Sequence, residues 1–227
     1  MYWSHASHRP SCSMSLIIRK ATEQDSPALS RICLSTADAG ETAEPLHKYG
    51  ELPGLIWSVP YVKLPTTWAF VLVDEAIKDE IGEGLVVGYV IGTSDTIAFE
   101  QYAAEHWWPV QAAEYPLSLI SGARSGDERC IKLLHNMYTA GAANLEFASA
   151  HMHINILKEY RGKQWGRKLV GRAVEYLKEL GVRGDGVWLG IDSRNDNARK
   201  FYERIGFKPI PGADDCQFGL RFADWKM

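Results

Sequence analysis

The chain has 227 residues, enough for one large domain or two small ones with a sizeable core. Its 25 Lys and Arg stand against 28 Asp and Glu, a formal net charge of −3, which argues against nucleic acid as the main partner. The 46% apolar and 23% charged residues exclude a disordered chain, and the longest apolar run, Leu85 to Ile91, is too short and glycine-broken to span a bilayer. Cys12, Cys33, Cys130 and Cys216 lie far apart with no C-x-x-C pair. They form neither a metal knuckle nor a disulfide framework, so a reducing cytosolic setting is expected.

Residues 1–13 lack periodicity and an apolar signal core, which predicts a disordered arm before a domain over 14–227. Leu16 to Arg19 reads as a strand, and Thr22 or Asp25 as the cap of a helix that Gly40 ends. Prolines, glycines and acids from Glu41 to Thr66 predict a long variable loop with at most a short helix. Trp68 to Asp74 and Leu85 to Thr93 read as a hairpin, rich in aromatic and β-branched residues. A helix from Ile97 to Trp108 is expected to stop at Pro109, followed by mixed helix and loop over 110–148.

From His151 the pattern sharpens. His151 to Leu157 is a strand, Glu159 to Trp165 a basic loop, and Gly166 to Leu180 a helix with Leu169, Val170, Ala173, Val174 and Leu177 on one face. Val187 to Ile191 is a buried strand. A helix follows, capped by Ser193 or Asn195 with Ala198, Phe201, Tyr202 and Ile205 as its stripe, then a strand from Cys216 to Phe222. Together these predict an α/β protein with a mixed sheet.

The loop Arg161-Gly162-Lys163-Gln164-Trp165-Gly166-Arg167 joins a strand to a long helix. The unpaired N–H groups of the helix's first turn and its positive dipole end suit an anion, and glycine permits close approach. No G-K-[ST] ending makes it a nucleotide triphosphatase loop. A solvated basic helix start is the alternative.

Arg161-x-x-Gln164-x-Gly166, followed by Asn195-x-x-Ala198-x-x-Phe201-Tyr202-x-x-x-Gly206-Phe207, resembles the GNAT acetyltransferase superfamily. The resemblance implies a mostly antiparallel sheet of six or seven strands, flanked by helices and splayed between the strands starting near His151 and Val187. It implies acetyl-CoA as cofactor, its pyrophosphate held by the 161–167 loop with Trp165 and Arg167 included. It also implies pantetheine contacts from backbone near Asn155, Ile156 and Leu157 and from Asn195, with Tyr202 as acid toward the thiolate. The family has glycine at Gln164. Within the superfamily, residues 151–169, 36–40, 87–90 and 107–109 resemble the acetyltransferase-like domain of O-GlcNAcase and its free-standing microbial relatives, some of them catalytically incompetent.

Period two places His151, His153 and Asn155 on one face of their strand, so His153 is a candidate base or water-relay partner, and Asn155 a candidate substrate contact. A hydrogen-bonded structural pair is the other reading, and a metal site lacks further ligands. Asp95 and Asp38 are candidates to orient or deprotonate an amine, or else turn caps. Trp107 and Trp108 are either core or a platform for a flat acceptor. The expected activity is acetyl transfer to a primary amine of a small molecule, an amino sugar among the options. A non-catalytic acetyl-CoA sensor and a protein or histone acetyltransferase are the alternatives. Neither a nucleic-acid nor a membrane partner is expected; the resemblance leaves a homodimer open, and a nuclear location besides the cytoplasm.

Overall fold

The computed structural model describes residues 15–79 and 82–226, so the expected arm at 1–13 lies outside the described residues. The elements are β1 (Leu16–Lys20), α1 (Ser26–Leu34), α2 (Leu52–Trp57), α3 (Pro60–Lys63), β2 (Thr67–Lys78), β3 (Gly84–Thr93), α4 (Thr96–His106), α5 (Trp108–Glu114), α6 (Ser125–His135), α7 (Ala142–Phe147), β4 (Ala150–Ile156), α8 (Trp165–Leu180), β5 (Gly186–Gly190), α9 (Asp196–Arg204), β6 (Lys208–Pro209) and β7 (Gln217–Arg221). Among the described residues, seven strands form one sheet in the order β1-β2-β3-β4-β5-β7-β6. Every pairing is antiparallel except β4 with β5, which touch only at Ala150–Val187 and His151–Trp188. The sheet therefore opens between the two strands where the sequence predicts.

Alternation along β2 gives each face its own core. Trp68, Phe70 and Leu72 pack with Met152, Val187 and the apolar stripe of α8. Ala69, Val71 and Val73 pack with Leu29 and Ile32 of α1, Tyr61 and Phe99. In β3 the parity changes once, because Leu72 opposes Gly88 while Val73 opposes Val86. The extra residue, Val87, is a bulge, and so Val87 and Val90 share a face despite their odd spacing.

The segments predicted to be irregular are more ordered than expected. Residues 41–66 hold α2 and α3, whose Pro53 and Pro60 occupy the first turn, where no N–H is required. Pro109 likewise does not end a helix but is the second residue of α5, which begins just beyond the break at Trp107. These short helices could not bury their apolar sides alone. They do so together: Leu52 and Ile56 of α2 meet Trp108, Ile131 and Leu134 in a separate core. Asp127 bolts that layer. Its buried carboxylate accepts from Lys48 N–H (2.8 Å), Arg124 N–H (3.1 Å), Tyr49 N–H (3.2 Å) and His47 Nδ1 (3.0 Å). Burial alone would raise its pKa, but these donors hold it below the usual carboxylate value.

Candidate active site

Where β4 leaves β5, a cleft of about 610 Å³ opens, floored by the two strands and walled by α1, α4, α6 and α9. Antiparallel bonding alternates along β4. The Leu157 N–H is engaged by Val87 O at 3.0 Å, which turns the N–H groups of Ile154 and Ile156 toward the gap. Of the backbone groups predicted near Asn155 to Leu157, only Ile156 therefore faces the opening, and Ile154 joins it. The Asn155 side chain is engaged as well, donating to Tyr89 Oη at 2.7 Å.

The basic loop follows directly. Tyr160 anchors its start by donating to the buried Asp74 carboxylate at 3.1 Å. The first bond of α8 is Lys168 N–H to Gln164 O, so the N–H groups of Trp165, Gly166 and Arg167 have no partner within the helix. Nothing lies within 4 Å of a Cβ built on Gly162. Gln164 caps the helix in the left-handed region at φ 64°, with its side chain exposed. The backbone thus keeps a conformation that glycine favours while a glutamine occupies it. The basic side chains are less available than expected. Arg161 donates to Ile156 O (2.8 Å) and Gly40 O (2.7 Å), Arg167 donates to Lys226 O, and Lys168 sits 3.9 Å from the Trp165 ring centroid. The donors this loop leaves for an anion are chiefly main chain.

Gly166 also has a packing task. A Cβ there would lie 3.0 Å from Phe201 Cζ, so its bare backbone lets α9 approach α8. On α9, Asn195 Oδ1 accepts from Ala198 N–H at 3.0 Å, while its Nδ2 lies 3.0 Å from a Cβ built on Gly40. Tyr202 lines the cleft with its ring against Phe201 and Phe207, each at 5.2 Å. Among the described residues its hydroxyl makes no hydrogen bond, and burial raises its pKa above the ordinary tyrosine value.

Opposite Tyr202, the polar face of β4 meets α3 and α4. Tyr61 Oη lies 2.7 Å from His151 Nε2 and 3.0 Å from His153 Nε2, and Thr96 Oγ1 lies 2.8 Å from His151 Nδ1. Burial lowers the pKa of His153 to about 4 and that of His151 well below the normal range. Both rings are therefore neutral near pH 7, and His153 lines the cleft. Sequence reasoning missed Tyr61 and Thr96. Tyr61 belongs to a helix of four residues inside a proline-rich stretch, so no periodicity marks it. It also missed Glu100, a cleft-lining carboxylate whose pKa burial raises and which accepts from Ala140 N–H at 2.8 Å.

Three predicted residues are placed elsewhere. Asp95 is exposed and outside the cleft; its side chain caps α4 by accepting from Ala98 N–H at 3.1 Å, the turn-cap role. Asp38 pairs with Arg194 at 2.7 Å on the rim. Trp107 donates to Leu55 O at 3.0 Å, and it is Trp108 that reaches the cleft.

Comparison with known proteins agrees with this arrangement. The chain is 32% identical to SsHAT, whose crystal structure it matches with a TM-score of 0.78 over 92% of this chain and 98% of that one. The PaiA N-acetyltransferase from Thermoplasma acidophilum, solved in complex with coenzyme A, is 15% identical and has the same fold, with a TM-score of 0.51 over 92% of this chain and 99% of that one. Among curated proteins, the ribosomal protein bS18-alanine N-acetyltransferase of Haemophilus influenzae is 34% identical over 83 residues, 35% of this chain and 55% of that protein. An uncharacterized N-acetyltransferase of Methanocaldococcus jannaschii is 36% identical over 63 residues, 28% of this chain and 26% of that protein. The matched stretches thus span about a quarter and about half of these two curated relatives. The model of the acetyltransferase (GNAT) family matches residues 70–207, and with the splayed sheet and the loop before α8 in place, the chain belongs to that family.

Proposed function

We propose that this protein transfers an acetyl group from acetyl-CoA to a primary amine of a small molecule. The observation that carries the reading is the cleft itself, where the open β4 edge at Ile154 and Asn155 meets Asn195 and Tyr202, with the first turn of α8 following β4 across a short basic loop. The PaiA enzyme solved with coenzyme A and the AtaTR complex solved with acetyl-CoA share this fold and support the choice of cofactor. The residues present fit such a group. The N–H groups of residues 165–167 and the open space at Gly162 suit a pyrophosphate, while the gap-facing amides of Ile154 and Ile156 and the Nδ2 of Asn195, which has no hydrogen bond among the described residues, suit an amide-bearing arm.

When bound, acetyl-CoA supplies a thioester whose C–S bond breaks as the C–N bond to the amine forms. His153, neutral at pH 7, accepts the proton that the amine loses. Tyr202, kept protonated by burial, donates its proton to the departing thiolate, and the proton on His153 balances it through solvent. Glu100 gives the acceptor end a carboxylate without a cationic partner among the described residues, which suits an amine arriving as ammonium; that ammonium first loses one proton to solvent, and His153 takes the second as the amide forms. The layer built by α2, α5 and α6 walls that end, which favours a small acceptor, an amino sugar among them, over an extended peptide. Kinship to the O-GlcNAcase-type acetyltransferase domains, one domain from residue 14 onward, and a reducing cytoplasmic setting with Cys33 and Cys130 as buried free thiols complete the reading.

The deciding experiment mixes purified protein, acetyl-CoA and a panel of amines including glucosamine, polyamines and a lysine peptide, and follows thiol release. Release above the protein-free rate with a small amine is expected, and no release with any amine overturns the reading. Tyr202→Phe should then lower kcat about 10²-fold, the lower end for a lost general acid, with acetyl-CoA affinity unchanged by calorimetry. A second reading, an acetyl-CoA sensor without turnover, draws on Gln164 and on the engaged guanidinium of Arg161. Tight binding without thiol release would select it.

A further inference from the structure

Resting on the assignment of His153 as the base, we propose that Tyr61, His151 and Thr96 are positioning residues that fix His153 as its Nε2–H tautomer, making Nδ1 the atom that takes the acceptor's proton. The direction of every hydrogen bond follows from the far end of the chain. Ser149 O accepts from both the N–H and the hydroxyl of Thr96, each at 2.8 Å. A carbonyl oxygen only accepts, so the single hydroxyl proton of Thr96 points to it. Thr96 Oγ1 must then accept from His151 Nδ1, and His151 carries its proton there. His151 Nε2 is left as an acceptor, and Tyr61 Oη donates to it at 2.7 Å. With its own proton engaged, Tyr61 Oη accepts from His153 Nε2–H at 3.0 Å.

The reversed chain fails at one contact. If Thr96 donated to His151, its oxygen would face Ser149 O at 2.8 Å with no proton between them. Two buried oxygen lone pairs facing each other at that distance repel, which selects the first arrangement. Packing holds the rings in register. Tyr61 stacks on Phe99 at 4.9 Å and 13°, and His151 is wedged between Phe99 at 5.7 Å and Trp188 at 5.0 Å.

The same chain sets where the proton stays. It ends inward on a carbonyl, which holds no proton, so it offers no exit through the protein. Moving the charge one step along, to His151, is opposed because that ring is buried while His153 is partly exposed. The proton taken at Nδ1 therefore remains on His153 and leaves through the cleft. Nδ1 has no hydrogen-bond partner among the described residues.

Nitrogen-detected imidazole NMR on the full chain tests this directly, with His153 assigned by its loss in His153→Gln. The expected signature at pH 7.5 is a protonated Nε2 and a bare Nδ1. Tyr61→Phe should give mixed tautomers and lower kcat at least about tenfold with acetyl-CoA affinity unchanged. Thr96→Val should do the same, whereas Thr96→Ser, which restores the hydroxyl, should recover both the signature and the rate. A wild-type His153 protonated at Nδ1, or a tautomer unmoved by both Tyr61→Phe and Thr96→Val, overturns the proposal. Full turnover in His153→Gln would instead remove His153 from the reaction; the wild-type spectrum still decides the tautomer assignment.

Discussion

The conformation of one residue gives a departure from the family pattern a measurable cost. Gln164 sits at φ 64°, where a side chain costs about 1–2 kcal/mol, while a glycine would lose about 0.5–1 kcal/mol of backbone entropy on folding. The difference favours glycine, so Gln164→Gly should stabilise the fold by about 0.5–1 kcal/mol, read as a higher urea midpoint with unchanged slope. Acetyl-CoA affinity should change little, because the glutamine side chain is exposed and the N–H groups of residues 165–167 remain in place. At this scale much was legible. Tyr202 and Asn195 stand out by their spacing to Gly206 and Phe207, and both line the cleft. Asp95, Asp38 and Trp107 were equally plausible by type, and nothing local distinguishes a carboxylate that caps α4 or pairs with Arg194 from one that meets a substrate.

Among the elements, the long and strongly patterned ones could be read directly. The stripe on α8 and the alternation of β4 each repeat often enough to leave one interpretation. The short helices α2 and α3 do not; their prolines are as compatible with a turn as with a helix start, and their stability comes from partners distant in sequence. The crossing of α8 and α9 is a packing fact of the same kind. Gly166 permits it, and Gly166→Val would push branched carbons into the Phe201 ring. Overpacking of this kind costs about 1–3 kcal/mol, more than any gain from replacing a first-turn glycine. The variant should lose that much stability by denaturant titration. It should also bind acetyl-CoA more weakly, because α9 carries Asn195 and Tyr202 away from the start of α8.

Across the whole molecule, buried neutral histidines link stability to pH. His153 titrates near 4 when folded and His151 well below the normal value, whereas in the unfolded chain both take up a proton below about 6.5. Between about 4 and 6.5 the unfolded state therefore binds more protons, and stability rises with pH. Each ring contributes about 1.4 kcal/mol per pH unit across that window. Thermal unfolding should show the melting temperature falling as pH drops from 6.5 toward 4.5. Asp25, Asp127 and Asp192, whose pKa values are lowered, withdraw their support only at more acidic pH. Tyr61→Phe should leave that slope in place, since burial rather than the Tyr61 hydrogen bond is its main cause.

The apolar and charged fractions by themselves determined a globular chain, and the two spaced motifs pointed to the family and to a basic loop at a helix start. These features are local: a helix start, a cap, a strand's alternation and a left-handed turn are decided by residues a few positions apart. The tertiary structure decided which groups meet in the cleft. The gap beside β4 exists because β5 pairs with it at only two positions. Tyr61 and Thr96 reach His151 from 90 and 55 positions away. Hydrogen-bond direction and burial are set by such distant neighbours, and so the tautomer and charge of His153 could be assigned only once the chain was folded.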